Sequence, residues 1–177
     1  MSGPVTLSRP ASGDYDPGAA GYVALAPEIT DTVSQLTSQR DAVGRRFSTV
    51  TGDRAGHRYA AGKWSVREVL GHLCDAERIF AYRLLRIARG DETSLSGFDE
   101  NTYVPAGAFE SRQLRDLVDE WMATRNATIG LVRGLPPEAW TRRGVANGKN
   151  VTAPALAYII LGHVEHHLGV LKDRYGV

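Results

Sequence analysis

TAPALAYIILGHVEHHLGVLKDRY, residues 152–175, decides the fold. Leu156, Ile160, His163, His167, Val170 and Arg174 recur at steps of four and three, the spacing of one face of an α-helix. Thr152 is suited to cap that helix, and Pro154 is tolerated in a first turn. Two imidazoles thus occupy the middle of a stripe that otherwise carries core residues. At 100° per residue they lie about 40° apart, one turn from each other, whereas Glu165 points away and His166 falls on the flank. A buried imidazole needs a hydrogen-bond partner or a metal, or it carries an uncompensated desolvation cost. Two imidazoles at i and i+4 can reach a single ion.

Three further stripes precede this one. Ile29, Val33, Leu36, Val43, Phe47 and Val50 predict a helix from Pro27 onward, with Arg40 filling the one missing beat. Ser65 and Glu68 form a capping box ahead of Val66, Leu70, Leu73, Phe80, Leu84 and Ile87. Trp64 and Val69 are placed to form its hydrophobic staple, and Gly90 suits the stop. After Ser111, a candidate cap, Leu114, Leu117, Val118, Trp121, Ile129 and Val132 form the third stripe, ended by Gly134 and Pro136–Pro137. With no evident strand run, the chain is expected to be all-α, a four-helix bundle with a long connection between helices 2 and 3. That connection, residues 90–111, is longer than most structureless loops, which favours a functional loop or a crossover. Residues 1–25, rich in Gly, Pro, Ser and Ala, are expected to be a flexible N-terminal arm, with the bundle domain over 26–177.

Composition narrows the function classes. A length of 177 residues suits one domain, and a net charge of +1 gives none of the basic excess that nucleic-acid binding by phosphate neutralisation requires. No apolar run is long enough to span a membrane. The first residues lack the basic start and apolar run of a signal peptide, and the single cysteine, Cys74, allows no internal disulfide. A cytoplasmic location is expected.

A third ligand for the His163–His167 pair is available in GHLCDAE, where His72 stands beside the seam residue Leu73. His57, in a Gly-flanked polar stretch, has the setting of an exposed histidine. His166 suits a supporting or surface position. Cys74 points away from His72 and is best read as a small buried hydrophobe. Asp75 is either an acceptor that orients His72 or an exposed carboxylate. Glu77 occupies a seam position, so it either pairs with an arginine or lies near the metal. Phe98, Asp99 and Tyr103 are the loop candidates for substrate contact. In HVEHH the acid stands third, so neither the HExxH nor the HxxEH pattern is present.

KWSVREVLGHLCDAE (63–77), GFDENTY (97–103) and LGHVEHHLGVL (161–171) together resemble the DinB-like (YfiT-like) metal-binding bundle family. The resemblance spans nearly all the chain beyond residue 25. It implies His72, His163 and His167 as ligands of one divalent ion, zinc or nickel. It also implies relatives that transfer low-molecular-weight thiols such as bacillithiol or mycothiol to electrophiles, act as thiol-dependent isomerases, or are associated with stress. The leading expectation is therefore a metal-dependent thiol S-transferase acting on a small-molecule substrate. Alternatives are a metal-dependent hydrolase and a non-catalytic stress-associated metal-binding bundle. A homodimer is a further expectation, since bundles with spare apolar surface often pair about a two-fold axis.

Overall fold

The computed structural model describes residues 5–177. In chain order the elements are α1 (Ala20–Leu25), α2 (Thr32–Ser48), α3 (Gly52–Ala55), α4 (Val66–Ala88), α5 (Glu100–Ala106) and α6 (Leu114–Arg133). A hairpin of β1 (Arg143–Ala146) and β2 (Lys149–Thr152) then leads into α7 (Ala153–Val170), which continues through Leu171–Tyr175 as a wider π-turn. The four long helices form the expected bundle: α6 packs on α2 and α4, and α7 closes the ring against α4 and α2.

Local chemistry sets the helix ends. The Ser65 hydroxyl accepts the Glu68 N–H at 3.2 Å while Glu68 accepts the Ser65 N–H at 2.7 Å, the reciprocal capping box expected for α4. Gly90 follows the C-terminus of α4 with φ of 77°, a left-handed residue where glycine carries no side-chain penalty. Thr152 caps α7 by accepting the Ala155 N–H.

The interior divides into two apolar clusters. One contains Leu84, Ile87, Trp140, Leu156 and Ile160; the other contains Phe47, Leu70, Leu117, Trp121 and Leu171. Along α4 the clusters change over between Cys74 and Ala76, and along α7 between Leu161 and Val164. Polar residues gather at this division. Arg125, fully buried, donates to Glu77 at 2.9 Å and to the Gln39 side-chain amide oxygen at 2.9 Å. Gln39 in turn donates to the Leu161 carbonyl and to Glu165. One network thereby ties α2, α4, α6 and α7, and it resolves the role of Glu77 as the partner of an arginine. Gln39 takes the buried position assigned to Arg40, which turns outward to Asp41 and Asn126.

Several sequence expectations are corrected. Residues 5–25 are packed rather than a loose arm: Leu7 bridges to Ile29, and Leu7, Val23 and Ala26 are buried with α1 lying along α7. α2 begins at Thr32, not Pro27, because Asp31 caps it by accepting the N–H groups of Val33 and Ser34. Ser111 does not cap α6; it ends a short 3-10 turn, and Gln113 precedes the helix without a side-chain cap. The connection after α4 is not structureless, since it holds α5. A hairpin stands where only a polar segment was expected. Its turn residues Asn147 and Gly148 have φ of 54° and 69°, the paired left-handed conformation that matches the twist of two short strands.

Candidate metal centre

His72 lies two turns into α4, whose register is fixed by the capping box; His163 and His167 lie one turn apart on α7 where it faces α4. Packing of the two helices brings the three rings together. Ring centroids are 4.9 Å apart for His72–His163, 4.8 Å for His72–His167 and 4.6 Å for His163–His167. One nitrogen from each falls within 4.8 Å of the other two, and all three residues are buried. Among the described residues their one hydrogen bond is mutual, between His72 Nε2 and His163 Nε2 at 3.0 Å. No carboxylate or carbonyl among the described residues holds any of the rings.

This donor set fits a divalent cation. Two nitrogens 3.0 Å apart and each about 2.1 Å from one ion subtend about 90° at it, an angle ordinary for coordination. The electrostatics agree. Burial, and after it the charge of His166, lowers His72 to about 4. Burial, His72 and His166 lower His167 to about 3, and burial followed by the charges of His167, His72, His166 and Arg125 holds His163 well below its ordinary value. All three imidazoles are neutral at physiological pH, the form that binds a metal.

The site opens onto a cavity of about 460 Å³. Trp64 stands 4.8 Å from the His72 ring, and Phe80 meets His163 edge-on at 5.4 Å. Tyr22, delivered by α1, meets His163 at 5.1 Å and His166 at 5.5 Å. Burial, and then the charge of Glu100, raises the Tyr22 phenol above its ordinary range. Arg83, Asn147 and Asn150 add polar groups to the wall.

The remaining sequence candidates separate cleanly. His166 lines the cavity, half-buried, outside the three-nitrogen cluster. His57 is exposed and meets the Tyr175 ring at 6.1 Å. Asp75 faces Arg78 at 3.6 Å and makes no bond to His72. Cys74 is fully buried, and burial pushes its thiol up to about 12. Of the loop candidates, Phe98 lines the cavity, while Asp99 is spent capping α5 and Tyr103 packs behind Phe98 at 5.5 Å. Tyr22, Phe80, Arg83, Glu100 and the hairpin asparagines were not singled out from the sequence for the site. Only Asn147–Gly148 carried a local signal, the dipeptide of a tight hairpin turn.

A model of the DinB superfamily matches residues 12–171. YfiT from Bacillus subtilis, reported as a probable metal-dependent hydrolase with an unusual four-helix bundle topology, superposes with a TM-score of 0.70 at 16% identity, covering 96% of this chain and 94% of that one. A mycothiol-dependent maleylpyruvate isomerase superposes with a TM-score of 0.64 at 14% identity, over 82% of this chain and 60% of that one. The DinB-like protein YjoA, also from Bacillus subtilis, gives 0.58 at 22% identity, over 82% of this chain and 89% of that one. At these identities the likeness establishes the fold. No curated protein sequence matches the chain.

Proposed function

The chain belongs to the DinB superfamily, and from that premise we propose a metal-dependent enzyme in which His72, His163 and His167 hold one divalent ion, zinc or nickel, and a low-molecular-weight thiol is transferred to an electrophilic small molecule. The observation that carries this reading is the convergence of three buried, neutral imidazoles, bonded to no carboxylate among the described residues, against a cavity large enough for a small substrate. Such an ion, held by neutral ligands with positions left open, lowers the pKa of a thiol or water toward neutrality.

The chain's own residues complete the site. His72, His163 and His167 need lose no proton to bind the ion, because burial already keeps them neutral. Trp64 and Phe80 pack against two of the ligand rings, hold them in place and exclude water from that side. The Tyr22 phenol stays protonated at neutral pH and can donate a hydrogen bond into the cavity. The mycothiol-dependent isomerase among the structural neighbours supports a thiol as co-substrate.

Hydrolysis is the second reading, supported by the superposition of 96% of the chain on a protein reported as a probable metal-dependent hydrolase. Added thiol separates the two. Protein reconstituted with zinc or nickel is assayed with monobromobimane or 1-chloro-2,4-dinitrobenzene and a panel of small thiols, and in parallel with p-nitrophenyl esters. Consumption of electrophile that needs the thiol, and is lost with chelator and in His163→Ala, is expected. Ester turnover without thiol would favour hydrolysis. No turnover of either by metal-loaded protein would remove the enzymatic reading.

A further inference from the structure

Arg83 projects from α4 into the cavity wall, three residues after Phe80. Its guanidinium carbon stands 6.0 Å over the Phe80 ring and 5.8 Å over the Phe98 ring. Those aromatic faces fix the plane of the side chain without supplying an anion. Its Nη2 donates to the Ser96 carbonyl at 2.9 Å, and its Nε is buried with no partner. No carboxylate among the described residues pairs with it.

Among the half-buried arginines Arg83 shares this lack with Arg46 and Arg142, which meet backbone carbonyls and do not line the cavity; the others are paired. Arg40, Arg67 and Arg86, comparably half-buried, each face a carboxylate. Arg125, fully buried, has Glu77. A half-buried guanidinium whose Nε is shielded from water and unpartnered gains from an anion that completes it, and its planar fork matches a carboxylate. The two acidic residues of the cavity wall do not complete it. Asp16 accepts the Gly18 N–H, and Glu100 acts on Tyr22.

The distances also set a scale. The guanidinium is 6.0 Å from Phe80, and Phe80 is 5.4 Å from His163, which places the cation within about 11 Å of the three-histidine cluster. One small molecule can span that gap, with the aromatic faces of Phe80 and Phe98 along its length. Asn147 and Asn150, brought to the same cavity by the hairpin, add amide groups able to donate to an anion.

We infer that Arg83 is the anion-binding residue of the substrate cavity, and that the molecule acted on carries a carboxylate group joined to an apolar body. This deepens the reading of the cavity as a substrate site, but it does not depend on the metal.

Chelator-treated protein therefore provides the test, titrated with 3-phenylpropionate and with its neutral amide and followed by ¹H–¹⁵N correlation spectra. The acid is expected to bind about tenfold tighter than the amide, a value typical of a charge-assisted hydrogen bond. Shifts should fall on the side-chain amides of Asn147 and Asn150. In Arg83→Met the preference should fall to about one, and Arg83→Lys should keep part of it. The loop 91–98 remains anchored in these variants, because Leu95 exchanges backbone bonds with Val145 and Asn147. Equal affinity for acid and amide, no saturable binding of the acid, or a preference that survives in Arg83→Met would overturn the inference. So would shifts confined to Ser94 and Tyr103, in the neighbouring cleft that Arg83 also borders. An acid preference that depends on Arg83, in a protein that turns nothing over when metal-loaded, would leave this inference standing and remove the proposed activity alone.

Discussion

Replacing Gly162 with alanine sets a methyl group against the main chain of α1. A Cβ at that position would lie 1.8 Å from the Tyr22 carbonyl oxygen and 2.5 Å from its carbon. Carbon and oxygen normally approach to about 3.2 Å, so α1 must move by more than an ångström or leave α7. Forcing a methyl into a packed contact costs about 1–3 kcal/mol. Lifting α1 away exposes Val23 and Ala26, now nearly fully buried, at a cost of about 3 kcal/mol. Alanine returns about 1 kcal/mol of helix propensity. The expected net loss is about 2 kcal/mol, a fall in Tm of about 4–8 °C for a chain of this size. Urea and thermal unfolding measure it, and proteolysis should become faster between residues 18 and 26. Gly130→Ala on α6 is the control, because nothing lies within 4 Å of its Cβ position. It should be neutral or stabilising by up to about 1 kcal/mol. If Gly162→Ala matched that control, α1 would not be seated on α7, and the Tyr22 wall of the cavity would fall with it.

Glu77→Ala leaves the fully buried Arg125 without its carboxylate and should cost about 3–5 kcal/mol in urea unfolding. The pair Glu77→Leu with Arg125→Met should recover most of that loss, since the desolvation of both charges is removed together. Cys74, whose thiol is held at about 12 chiefly by burial, should resist Ellman's reagent at pH 8 in the native protein and react at once in guanidinium chloride. Fast native labelling would contradict its placement. Gly148→Val puts a β-branched residue at φ of 69° and should lower stability by about 1–2 kcal/mol, whereas Gly148→Asn should be nearly neutral in the same melts.

Much of the architecture was legible because its signals are local. The Ser65–Glu68 box, Gly90 after α4 and Thr152 before α7 each act within one helical turn, and the structure shows them in those roles. The histidine pair was legible because polar residues interrupted an apolar stripe, and Glu77 for the same reason. The packed N-terminal segment was not. Leu7 and Ile29 meet only through the tertiary fold, and a helix of six residues is too short to show a period. The cavity wall was hidden for a related reason, since Tyr22, Arg83 and Asn150 come from three separated elements. Asn147–Gly148 did carry a readable turn signal, but its four-residue strands show little alternation.

Metal content of tag-free protein is the most direct measurement, made by mass spectrometry on wild type and on His72→Ala, His163→Ala and His167→Ala. About one divalent ion per chain in wild type, lost in each variant while the helical circular dichroism persists, is the expected result. Wild type that takes up no ion after incubation with zinc or nickel, or variants that keep theirs, would contradict the three-histidine centre.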